Sequence, residues 1–421
     1  MHRHNLWIAL FAATATLGTT ATQADFIDDS NVQLKFKNFY LDREYAHEAG
    51  RSVTPGYGNW TQAVTLDAKS GYHDIGAGIQ VGADLLAQYA IGLKSRGEVN
   101  DIHMPYSNQK TERDNAKLGA TLKVKVSETE LKVGDLLPMS PVVFFDPSRQ
   151  LLTTYSGAWL ESKDIQNTKL TLAYIEGINA RYDNQYQDLS LFPNNDFTNT
   201  TDDGMYIAGV DYQFTPKVGG SYWYADVTNI YQQHYVAANY KTTVGEKTKL
   251  DTHVRYFDNS ESGDKLYGNI DSQAVSAGAK INHGMHTVQL GYQQMFGEHG
   301  TGAPMFPTLG GWVPQPYLDN WSVASFIRKD ERSWSLGYTY NFAEVGIPGL
   351  TTTIRHFRGD NIDRGDAPEG KENENNVIVN YVVPEGKLKG LGFNYMFIDT
   401  NYNFGNDLEE HRVATTYTYK F

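Results

Sequence analysis

The last ten residues, Arg412-Val-Ala-Thr-Thr-Tyr-Thr-Tyr-Lys-Phe421, decide the fold. Side chains along a strand alternate between its two faces. One face here carries Val413, Thr415, Tyr417, Tyr419 and Phe421, and the other Arg412, Ala414, Thr416, Thr418 and Lys420. A half-buried edge strand of a soluble protein has the same alternation. A transmembrane β-barrel has a stronger need for it, because its last strand must face lipid and close the sheet.

Working back from this strand, the alternation recurs along most of the chain. The longest case is Ile75 to Leu93, whose odd positions include Ile79, Val81, Leu85, Tyr89 and Ile91 without a polar member. Its even positions include Gly76, Gln80, Asp84, Gln88 and Lys94. At roughly 3.3 Å per residue, read as one strand, it overreaches a bilayer and must lean. Leu118, Leu122 and Val124 oppose Lys117, Lys123 and Lys125. Leu250, Val254 and Tyr256 oppose Asp251, His253 and Arg255. Trp334, Leu336, Tyr338 and Tyr340 oppose Ser333, Ser335 and Thr339. Phe393, Tyr395 and Phe397 oppose Asn394 and Met396.

The N-terminus reads as a secretory signal peptide over residues 1–24. It has a basic start at Met1–His4, an apolar run from Leu6 to Leu17 too short to span a bilayer, and a small residue, Ala24, before Asp25. Residues 25–421 then form one barrel domain with no linker or shift of composition. No cysteine is present, which excludes disulfides and thiolate metal sites. The mean hydropathy of −0.49 fits a barrel, where only alternate residues meet lipid. The 28 tyrosines suit interfacial girdles. A net charge of −13, without a basic tract or recognisable module, gives nucleic-acid binding no support.

Short turn-like connections (Ser127–Thr129, Thr215–Lys217, Pro384–Gly386) alternate with long polar or Gly/Pro-rich ones (Gly97–Asn115, Asn179–Asp203, Gly297–Asn320, Gly359–Asn375). That is the barrel pattern, and roughly 400 mature residues make about 16–20 strands. The expected fold class is therefore all-β, a transmembrane antiparallel β-barrel.

Several stretches, in order and spanning nearly the whole mature chain, resemble the OprD family of substrate-specific outer-membrane channels. Phe26–Ser30 running into Leu34–Arg43 resembles its opening strand, and Lys125–Asp135 its next signature. Pro141-Val-Val and Ser148–Leu151 resemble its inward-folded third loop. Ser333–Leu336, Gly346–Leu350 and Arg355–Asp360 resemble its late strands. The resemblance implies a monomeric barrel of about 18 strands, narrowed by loops folded into the lumen. It implies passive uptake of small solutes, most often carboxylates, along a ladder of basic side chains. The implied setting is the bacterial outer membrane with its lipid and lipopolysaccharide. The terminal Phe421 is similar to the signal that barrel assembly machinery reads in outer-membrane proteins.

A pore selects by the groups that line it, and Arg binds a carboxylate through two parallel hydrogen bonds. Alternation places Lys35, Lys37, Lys123, Lys125, Arg255 and Arg355 on the lumen face. Arg149 lies in the stretch that resembles the constriction, beside Asp146, which is either an opposing charge across the eyelet or a turn residue. Arg43 and Arg358 lie near strand ends, where alternation is less decisive. Where the family commonly has two arginines in the penultimate strand, Asn394 and Met396 stand here. That thins the ladder and keeps neutral solutes, such as sugars or oligosaccharides, and general diffusion open as alternatives. Other classes fare worse. No spacing of Ser and His singles out a catalytic set, so the chain does not read as an enzyme. A sealed adhesion barrel predicts no conductance. His283 and His286 sit at a hairpin turn, and Gly359–Asp366 lacks the order of a calcium loop, so neither a metal nor another cofactor is expected. Trp312, Trp321 and Trp334 fit interfacial or loop packing. Whether Gly297–Asn320 gates the pore is open in the sequence.

Overall fold

A computed structural model describes residues 29–46, 55–96, 104–107, 110–194, 196–300, 305–311 and 313–421. The stretch read as a signal peptide, residues 1–24, and Trp312 lie outside these residues. Each wall strand pairs antiparallel with the next in the chain. The first, Asn31–Ala46, then pairs with the last, Asp407–Lys420, from Gln33↔Lys420 to Ala46↔Asp407. Eighteen strands thus form a closed wall. The nineteenth member of the sheet, His73–Gly76, is a short ribbon at one turn. Closure is what the setting demands, because an open edge would leave unpaired N–H and C=O groups in hydrocarbon.

The alternation reads directly onto the two faces. Leu118, Leu122, Val124, Leu172, Val236, Leu336, Ile354 and Val413 are exposed on the outside, with Trp60, Tyr222, Trp334 and Tyr395 among the outward aromatics. The opposite parity points inward, where Asn115, Thr121, Gln233, Asn259, Ser276 and Gln293 are buried. The 75–93 reading needs one correction. Gly76, Ala77 and Gly78 all take positive φ and turn the chain, so the strand begins at Ile79 and runs to Arg96. Ile75 belongs to the preceding ribbon; an apolar parity that survives a tight turn cannot reveal it.

The short connections all lie at the end that carries the chain termini, which is the periplasmic end of such barrels, and the long ones at the other. Two of the long ones differ from expectation. Strand pairing continues to Ile362 and resumes at Gly370, so that connection spans only 363–369. The connection expected at Gly297–Asn320 instead runs from the end of His286–His299 to the start of Arg332–Asn341.

The interior is not an open tube. An apolar cluster of wall residues (Trp159, Ile175, Ile207, Trp223, Tyr235, Phe257) packs on loop residues (Val142, Val143, Leu189, Leu191, Phe306, Leu309, Leu318). Three loops, 137–153, 180–204 and the described part of 300–331, are thereby held inside the wall. Burial of this kind stabilises each large apolar side chain by about 1.5–3 kcal/mol, enough to hold loops that water would otherwise solvate.

Candidate functional site: a constriction of three loops

The strand Thr129–Leu136, which leads into loop 137–153, parts from the preceding strand at Gly134, whose φ is 129°. A Cβ there would come within 2.2 Å of the Ala120 carbonyl oxygen, so glycine permits the inward bend. Inside the loop, Asp146 accepts the Ser148 amide at 2.7 Å, a local turn that presents Arg149. Lys37 of the first strand donates its ammonium to the Arg149 carbonyl, and Gln150 Nε2 donates to the Lys37 carbonyl at 2.9 Å. The loop tip is therefore stitched to a distant part of the wall.

Arg181, at the start of loop 180–204, donates to Asp146 Oδ2 at 2.5 Å, and both side chains are buried. Asp146 is thus a turn residue whose charge is spent on Arg181 inside the loop packing. Burial would raise its carboxyl pKa. The guanidiniums of Arg181 and Arg149 and the Ser148 hydroxyl outweigh that and hold it below the ordinary value. Arg149 is lowered to about 9, by burial first and then by Arg412 and Arg181, against Glu410 and Asp146. It stays cationic at neutral pH.

The cation Arg412 comes from the lumen face of the last strand. Its guanidinium is hydrogen-bonded to buried Glu410, which also accepts Arg43 Nε at 2.6 Å. One buried carboxylate therefore sits between two guanidiniums. Lys117, buried, donates to the carbonyls of Leu152 (3.1 Å), Asn179 (3.3 Å) and Ala180. It ties the end of one constriction loop to the start of the other. Loop 300–331 joins them where Gln315 Nε2 donates to the Pro141 carbonyl at 2.9 Å. Its later part is pinned where Ala324 N donates to Glu374 at 2.7 Å and Phe326 N to Glu372 at 3.2 Å.

Of the residues singled out from sequence, the fold brings together Lys37, Arg149 and Asp146. Arg355 is an electrostatic neighbour of Arg412 and Glu374, so it adjoins this cluster. Its guanidinium lies over the Phe357 ring at 5.5 Å and lines a cavity of about 460 Å³ on the turn side. The remaining basics point inward but hold other partners. Lys35 pairs with Asp67 at 2.7 Å, Lys123 with Asp84 at 2.6 Å and Lys125 with Glu128 at 3.7 Å. Arg255 donates to the Tyr317 carbonyl at 2.9 Å and lies 3.7 Å from Asp319. Among the described residues, Arg149 and Arg355 have no ion pair within 4 Å, and Arg355 Nε has no hydrogen-bond partner. Asn394 and Met396 face inward, with Asn394 donating to Asn380 at 2.6 Å. Arg358 is exposed and in register with outward Trp334.

Sequence reasoning missed Arg412, Glu410, Arg43 as a member of that pair, and Arg181. Arg412 was legible as inward-facing, but only ring closure puts it beside the first strand. Arg181 carries no periodic signal.

Comparison with known proteins agrees with this architecture. The family described as "outer membrane porin, OprD family" matches residues 24–421. The chain belongs to the OprD family of outer membrane porins. Porin-like protein GalP of Pseudomonas putida is 29% identical over 417 residues, 97% of each chain. Porin D of Pseudomonas aeruginosa is 27% identical, over 90% of this chain and 88% of its own. OccAB4 of Acinetobacter baumannii superposes with a TM-score of 0.86 at 32% identity, covering 93% of this chain and 98% of its own. OpdK of Pseudomonas aeruginosa, solved with vanillate, gives 0.85 at 26% identity, covering 94% and 100%. This OprD-family porin is a substrate-specific channel of the bacterial outer membrane, not an enzyme.

Proposed function

We propose that this porin takes up small carboxylates, drawn through the constriction by Arg149, Lys37 and Arg412 and handed to Arg355. The observation that carries the reading is Arg355. Its guanidinium borders a cavity with Tyr235, Tyr317 and Phe357, and among the described residues no acid lies within 4 Å of it, Glu374 acting from farther off. An unpaired guanidinium in a narrow lumen is costly unless an anion visits it, and its fork matches a carboxylate. The rings beside it suit a flat apolar body, so aromatic acids are the favoured class. OpdK was solved with vanillate, an aromatic carboxylate, which supports the same chemistry.

The ladder is thinner than the family's, since Asn394 and Met396 bring no charge, and Glu410 partly offsets Arg412. Anion preference is therefore expected to be moderate. Lipopolysaccharide around the wall, assembly through the Phe421 signal and a monomeric state complete the proposal. The test is a planar bilayer under a salt gradient, followed by titration with benzoate. An anionic reversal potential with block by benzoate is expected. Arg149→Gln or Arg355→Gln should each weaken block by about 10-fold or more, the worth of a charged hydrogen bond at roughly 1.5–3 kcal/mol. Block by neutral sugars and not by benzoate would overturn the carboxylate reading.

A further inference from the structure

On the turn side of the constriction, the tip of loop 300–331 reaches down to the wall and inserts one carboxylate, that of Asp319. Its surroundings form a complete anion seat. His253 Nε2–H donates to both oxygens, at 2.9 and 3.0 Å. Ser276 Oγ donates to Oδ2 at 2.6 Å and accepts the Asp319 amide at 3.0 Å. Arg255 Nη1 stands 3.7 Å away, steered by its bond to the Tyr317 carbonyl. These donors come from two neighbouring wall strands, Thr248–Glu261 and Asp271–His283, not from the loop.

Two glycines open the space. A Cβ on Gly278 would sit 2.6 Å from the His253 ring and 2.9 Å from Asp319 Oδ1. One on Gly291 would sit 3.1 Å from Asp319 Cβ. The wall is thus hollowed under the loop where any larger residue would close the seat. The seat also opens on the 460 Å³ cavity, whose lining includes Asp319, His253, Arg255, Arg355, Tyr317 and Phe357. A solute leaving the constriction passes these donors while they hold the chain's own carboxylate.

We propose that the His253–Ser276–Arg255 seat is a second carboxylate-binding site, filled at rest by Asp319 and contested by a permeating carboxylate. Displacing Asp319 frees the loop tip, so occupancy of the exit is coupled to loop position. The Asp319 carboxylate is a tethered competitor at high local concentration, and the site in the resting protein is correspondingly weak. The proposal shares the substrate class of the reading above but none of its anion-binding residues at the constriction.

The test uses the full-length protein in a planar bilayer, with benzoate added on the turn side. Asp319→Asn removes the competing charge and should lower the half-blocking benzoate concentration about 10-fold. The double variant Asp319→Asn/Arg255→Gln should lose that gain. In Asp319→Ala, which vacates the seat, millimolar acetate should compete for it and raise the half-blocking benzoate concentration, while acetamide should not. An unchanged benzoate response in Asp319→Asn, a gain that persists in the double variant, or equal action of acetate and acetamide would each overturn the proposal. The outcome is independent of the constriction reading. Failure of the latter shows in Arg149→Gln and Arg355→Gln with Asp319 intact; failure of the seat shows in Asp319→Asn relative to the native chain.

Discussion

Asp146 is fully buried and still carries its charge, because Arg181 and Arg149 flank it. Removing one partner of a buried pair leaves the other stranded, at a cost of about 3–5 kcal/mol. Arg181→Ala should therefore lower stability by that order, measured by denaturant unfolding of the refolded barrel, whereas the paired change with Asp146→Asn should cost less than the sum. The pH dependence follows from the depressed carboxyl. A lowered folded-state pKa contributes stability above the ordinary carboxyl value near 3.9, and that stability is lost only as pH falls through the folded value. Single-channel conductance is thus expected to hold steady on acidification to about pH 4.5 so far as Asp146 governs it. A conductance jump above that pH, absent in Asp146→Asn, would contradict the assignment.

At the scale of elements, loops rather than strands set the bore, and one wall side chain holds two of them. Lys117 gives its three ammonium protons to the carbonyls of Leu152, Asn179 and Ala180, with no carboxylate among these direct partners. It satisfies the carbonyls at the root of each loop, groups that are costly to bury unmet. Lys117→Met should keep the barrel folded but raise open-channel conductance and current noise, because both loops lose their root. Unaltered noise would show that the apolar cluster alone anchors them. Gly134 sets the bend of the strand that leads into loop 137–153, since its φ of 129° and the nearby Ala120 carbonyl exclude a side chain.

For the whole molecule, parity controls stability through the solvent on each side of the wall. Leu122 faces lipid while Lys123, next in sequence, faces the lumen and pairs with Asp84. Leu122→Arg should destabilise the barrel by about 2–4 kcal/mol in lipid, as a charge near mid-membrane does. Unfolding in bilayers of known thickness measures this, and a change well under 1 kcal/mol would move Leu122 out of the membrane band. The lumen charges act at longer range. Anion preference is expected to fall as salt rises from 0.1 to 1 M, where the screening length shrinks from about 10 to 3 Å.

The sequence by itself determined the fold class, the inward and outward faces of strands such as Asp114–Val126, Thr248–Glu261 and Arg332–Asn341, and the inward direction of Lys37, Arg255 and Arg355. It could do so because a period of two is local and lipid enforces it on each strand separately. It also marked Pro141–Val143 and Ser148–Leu151 as parts of an inward-folded loop, through resemblance. It did not show the turn at Gly76–Gly78, the short 363–369 connection, or the partners of any charge. Only the closed ring set Glu410 and Arg412 beside Arg43 and Lys37, because the two ends of the chain meet there. Only the folded loops paired Arg181 with Asp146 and laid Asp319 against His253. These contacts join residues tens to hundreds of positions apart, and irregular loops carry no periodicity from which they could be read.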